Sequence, residues 1–220
     1  MGFAEDFFNM LQTYNETVVP ITILTFLLGI VAIYLVSRKF NQAGKFVSFI
    51  LGFLWLWSGL AFNILFFGPT DVELLGMTIA GMWYVSGVLF IIQSLLFGIY
   101  GIIKNELSFD LDTSLYSFTG VGFIIYAMVI YPSIGFLTGQ MYPRYPIFGS
   151  APCPVTIFTL GILLLTEKKV PLQVAVIPLI WGLMGIMPVL ELSLYADVGL
   201  LLSGIVGFTL ILLRNRSVEE

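Results

Sequence analysis

Apolar runs of membrane-spanning length recur from Val18 to Leu213, and the charged residues fall almost entirely in the short gaps between them. A bilayer core of about 30 Å calls for roughly 20 apolar residues per helix. No water reaches the backbone there, so runs of this kind must satisfy their own amide and carbonyl groups as helices. The class that follows is all-α, a polytopic membrane helical bundle. Composition agrees: 59% of the 220 residues are hydrophobic and 10% are charged, where a soluble domain carries about a quarter charged residues.

Seven transmembrane helices are expected, at 18–37, 46–67, 74–103, 115–137, 151–166, 170–190 and 195–213. Together they make a sheetless transmembrane domain over 18–213. Residues 1–17 read as an interfacial amphipathic segment, because Phe3, Phe7, Phe8, Leu11 and Tyr14 recur at helical spacing among polar neighbours. Residues 214–220 read as a cytoplasmic tail. The apolar core of the fifth span, 155–166, reaches only about 18 Å, so part of the loop before it is expected to dip below the membrane surface. Taken alternately, the loops put Arg38, Lys39, Lys45, Lys104, Lys168, Lys169, Arg214 and Arg216 on one side and only Arg144 on the other. The excess predicts a cytoplasmic C-terminus and an external N-terminus in a cell membrane of the prokaryotic inner or plasma type.

Some local features carry their own expectations. Ser48 with Gly52 and Ser203 with Gly207 are small-residue pairs one helical turn apart, suited to close helix packing. Pro132 should interrupt the regular helix near Tyr131. Pro178, in mid-span, should kink its helix and leave the carbonyl near Val174 in need of a new partner.

Several chemistries are excluded. The chain has no histidine and one cysteine, Cys153, so the common zinc, haem and general-base sites are missing. No metal and no cofactor is expected. No basic footprint for nucleic acid is present. The opening residues are acidic, so no cleavable signal peptide is read.

The most distinctive stretch is Gly139–Thr166, GQMYPRYPIFGSAPCPVTIFTLGILLLT. Pro143, Pro146 and Gly149 suit a folded loop, and Pro154 suits a first helical turn. Residues Tyr142 to Ser150 are expected to pack as a lid over the external mouth of the bundle. Candidates for a ligand or solute pocket are Tyr131, Gln140, Tyr142 and Arg144 around that loop. Cys153, Thr156 and Thr159 follow at the start of the next helix, and Glu191 is a possible inward-facing partner of Arg144. No catalytic residue can be assigned. Asp71, Glu73 and Asp197 read as helix-end charges at a wet interface.

The segments YPSIG at 131–135, GQMYPRYPIFG at 139–149 and APCPVTIFTLG at 151–161 resemble an uncharacterised family of prokaryotic multipass membrane proteins, a domain of unknown function. The family segment often reads GHxYP where this chain has Gln140, which argues against a role needing an imidazole there. The resemblance implies a membrane protein of this size and brings no activity. Function therefore rests on the residues. The leading expectation is transport or conduction of a small solute or ion, with the lipid bilayer as the constant partner. The alternatives are a membrane-embedded enzyme, or a structural or sensory component binding a partner.

Overall fold

The computed structural model describes residues 3–38, 42–74 and 77–217, without the side chains of 73 and 74. Lys39, the Glu73 side chain and the tail beyond Ser217 thus lie outside the described residues. Helix α1 spans Phe3–Thr17 and α2 Val19–Ser37. Then come α3 at Ala43–Phe67, α4 at Met82–Ile103, α5 at Leu115–Leu137 and α6 at Pro152–Leu163, and finally α7 at Gln173–Leu192 and α8 at Asp197–Ser217. Six of these, α2 to α5 with α7 and α8, are long and apolar enough to cross a membrane, while α6 is apolar but shorter. The chain is a multipass membrane protein built as a helical bundle.

One small sheet breaks the helical pattern. Strands β1 (Val72–Leu74) and β2 (Met77–Ile79) pair antiparallel, with Val72 opposite Ile79. The expectation of a sheetless bundle, with a third span from residue 74, is corrected here. Val72, Thr78 and Ile79 are β-branched and favour extended backbone. Gly81 then takes φ +72°, a left-handed conformation open to glycine, and α4 starts only after it.

Helix α6 is the axis of the bundle. Every residue in it except Cys153 is buried. Its backbone touches that of α5: a Cβ on Gly120 would sit 2.6 Å from the carbonyl oxygen of Gly161. On another face, Trp55 of α3 donates from Nε1 to Thr159 Oγ1 at 2.9 Å. A helix surrounded by other helices need not match the thickness of lipid, which explains how so short a segment serves here.

The basic loops meet at one end of α6. Phe109 and Thr166 form an antiparallel bridge, and the Glu167 amide donates to the Ser108 carbonyl at 2.8 Å. Arg214 was expected to stop the last span and begin a tail. It lies inside α8, 8% exposed, donating to the Leu164 carbonyl, with its guanidinium over the Tyr116 ring. It thereby satisfies a carbonyl at the end of α6 that has no helical donor. At the start of α5, Asp112 accepts from the hydroxyls of Ser114 and Ser117. These bonds, the Ser114 one foremost, hold its carboxyl at about 2.

Two sequence expectations about packing are met. Ser48 and Gly52 face α4, where a Cβ on Gly101 would lie 2.0 Å from Ser48 Oγ. The carbonyl released by Pro178 is that of Val174, and it accepts a hydrogen bond from Gln93 Nε2 of α4 at 2.8 Å. A buried carbonyl left unpaired costs about 1–3 kcal/mol. Gln93 is itself fully buried, and its place in an apolar span is accounted for by this proline.

Candidate functional site

The end of the bundle opposite the basic loops is closed by the 139–151 loop and α1. Tyr145 and Phe148 of the loop are buried. Each fills a notch left by a glycine: a Cβ on Gly135 would lie 2.5 Å from the Tyr145 ring, and one on Gly29 2.6 Å from the Phe148 ring. Gly149 turns the chain at φ +86°, against Thr25.

Helix α1 ties this loop down. Asn15 is fully buried and donates from Nδ2 to the carbonyls of Pro143 and Tyr145, at 2.7 and 3.1 Å. The Tyr142 hydroxyl donates to the Asn15 carbonyl at 3.0 Å, and the Tyr14 hydroxyl to that of Ser150 at 2.9 Å. Arg144, expected beside Glu191, instead pairs with Glu5 at 2.8 Å on the surface. The apolar face of α1 rests on protein: Tyr14 meets Phe62 and Phe66 edge-on, and Phe7 stacks on Trp83.

Beneath this cover lies a pocket of about 100 Å³, walled almost wholly by apolar groups. Among the described residues that line it, the one fully buried acidic side chain is Asp197, in the first turn of α8. A helix N-terminus suits a carboxylate. The Tyr131 hydroxyl donates to Asp197 Oδ1 at 2.6 Å, and Cys153 lies beside the same carboxyl group. Asp197 Oδ2 has no hydrogen-bond partner among the described residues. Neither has the indole N–H of Trp83, and that of Trp181 has only the Cys153 sulfur beside it; both are buried at the pocket wall.

The backbone of α5 aims two tyrosines at this corner. Residues Tyr126–Ile130 form a π-helical section just before Tyr131 and Pro132, with the Tyr131 amide donating to the Tyr126 carbonyl. In an α-helix residues five apart diverge by about 140°; in a π turn they nearly stack. Both hydroxyls therefore reach the start of α8, Tyr126 to the Ala196 carbonyl at 2.9 Å and Tyr131 to Asp197. Tyr145 extends the cluster from the loop, its ring centroid 5.8 Å from that of Tyr131. Burial, with the charge of Asp197 adding, pushes the Tyr145 phenol above its usual range.

Residues 4–219 match the family described as "Family of unknown function (DUF6064)". The chain belongs to that family. No curated protein matches it, and no solved structure does.

In this DUF6064 chain the residues singled out from sequence divide into three groups. Tyr131, Cys153 and Glu191 gather at the pocket or its lining. Gln140, Tyr142 and Arg144 belong to the loop; Gln140 donates its backbone amide to the Gly135 carbonyl. Thr156 and Thr159 are buried in the helix packing, their hydroxyls turned back to the carbonyls of Pro152 and Val155. Sequence reasoning passed over Asp197, read as a wet helix-end charge, and over Trp83 and Trp181. The available signal was an acidic residue two positions into an apolar run, where a charge inside a membrane bundle is a functional pointer.

Proposed function

We propose that this protein carries a small solute across the membrane through the pocket at Asp197. The observation that carries this reading is the buried Asp197 carboxylate, one oxygen held by Tyr131 and the other unpartnered at a pocket inside a membrane helix bundle. A carboxyl group in such a place is costly to ionise and points to a function. The loop and α1 above it supply a cover that could open, and the proline-interrupted α7 forms one wall. The test is flux in proteoliposomes with a panel of one amine, one zwitterionic amino acid and one neutral polyol. At least one solute is expected to move faster than in protein-free vesicles, and Asp197→Asn should slow it by roughly tenfold or more. Leakage equal to that of empty vesicles for the whole panel would remove the reading.

The same proposal treats α6 as a seventh crossing, with the N-terminus outside and the C-terminus in the cytoplasm of a prokaryotic inner or plasma membrane. In support, Pro152 at its start lines the covered pocket, while Leu164 at its end meets Arg214 among the basic loops. Cysteines placed at 104 and 168 in intact cells should resist impermeant maleimide, and one at 144 should react. External labelling at 168 would sink the seven-span arrangement.

A further inference from the structure

The pocket's own chemistry narrows the class of solute, and this step rests on the transport reading above. Among the described residues that line it, Asp197 and Glu191 bear carboxylates and none bears a basic group. Aromatic rings supply much of the remaining wall: Phe7 and Phe62, with Trp83 and Trp181. The negative face of an aromatic ring attracts cations, the more so where water is excluded. A carboxylate with an unpartnered buried oxygen, Asp197 Oδ2, is relieved of its desolvation cost by a ligand of opposite charge.

The two buried indole N–H groups ask for something further. Among the described residues Trp83 offers its N–H to no acceptor, and Trp181 has only the Cys153 sulfur beside its own, so the ligand that satisfies most of the site also carries an oxygen. Size sets another limit. A cavity of about 100 Å³, open on one side, is smaller than the ~150 Å³ space that admits benzene, so it holds the compact ammonium end of a ligand whose remainder extends toward the opening. We infer that the pocket binds a small alkylammonium bearing an oxygen acceptor, an amino alcohol of the choline kind, either free or as the headgroup of a lipid. The cation sits between Asp197 and the rings, and its oxygen accepts from an indole.

Calorimetric titration of the full chain, in a detergent without ammonium groups, tests this with choline chloride and its uncharged isostere 3,3-dimethyl-1-butanol. Choline should bind saturably and at least roughly tenfold more tightly than the isostere. Asp197→Asn and Trp181→Leu should each weaken it by roughly tenfold or more. Should either variant misfold, the wild-type comparison of the two ligands still decides. A second arm uses nanodiscs. Choline binding in discs of phosphatidylglycerol alone assigns the free amine. Selective retention of phosphatidylcholine from mixed discs, without binding of free choline, assigns the headgroup. Equal affinity for choline and isostere, or no choline binding together with no lipid preference, overturns the inference. Choline bound but never carried would remove the transport reading and leave this one standing; a neutral polyol carried with no amine bound would do the reverse.

Discussion

Phe148→Ala should be among the most damaging single substitutions in this chain, costing about 3–5 kcal/mol, the range for deleting a buried aromatic side chain. Phe148 is 1% exposed. Its ring packs against Phe158 of α6 at 4.8 Å and meets Phe26 of α2 edge-on at 6.1 Å, while its tip enters the notch over Gly29. Truncation therefore opens a cavity between three separate segments, one of them α6, whose residues apart from Cys153 are all buried. The loop would lose its anchor beside Cys153, which lines the pocket below. Two measurements follow: a lower midpoint in thermal unfolding, and faster reaction of the Cys153 thiol with a membrane-permeant maleimide. An unchanged midpoint and an unchanged labelling rate would show that the loop does not hold the bundle closed. Gly29→Ala gives a complementary check, because its methyl would meet the Phe148 ring at 2.6 Å.

What could be read in advance was whatever depends on residues near each other in sequence. Apolar runs gave the membrane class. The prolines at 143 and 146 with Gly149 gave an ordered loop, and Pro178 gave a carbonyl in need of a donor, though not that Gln93 would provide it. The misses have physical causes. Whether the acid in the first turn of α8 faces water or protein depends on what covers that turn, and the cover comes from α1 and the loop, far away in sequence. The π-helical section that turns both Tyr126 and Tyr131 toward α8 leaves no periodic signature, since one widened turn shifts the pattern by a single residue. The hairpin at 72–79 was hidden for a different reason. Its residues are as apolar as the span that follows, and hydropathy alone cannot separate a short strand from a helix.

Small-residue spacing also pointed one position away from the tightest contact. Ser203 and Gly207 were marked for packing, yet a Cβ on Gly207 would meet the Phe123 ring at 3.3 Å, which a side chain can yield to. Gly204 is different. A Cβ there would sit 2.9 Å from the Cα of Gly182, and one on Gly182 would sit 2.7 Å from the Cα of Gly204. Backbone meets backbone at this crossing of α7 and α8, so no rotamer change makes room. Gly204→Val must push the helices apart, at the upper end of the about 1–3 kcal/mol typical of overpacking. The separation would also move α8, whose first turn carries Asp197, so binding and flux should fall along with stability. The control is Gly122→Ala in α5, where an added Cβ meets nothing within 4 Å. Losing a mid-helix glycine in open space should be neutral or stabilising by about 0.5–1 kcal/mol. Size-exclusion profiles and unfolding midpoints for the two variants distinguish the cases. A monodisperse Gly204→Val protein as stable as the Gly122→Ala one would mean that α7 and α8 do not touch through their backbones.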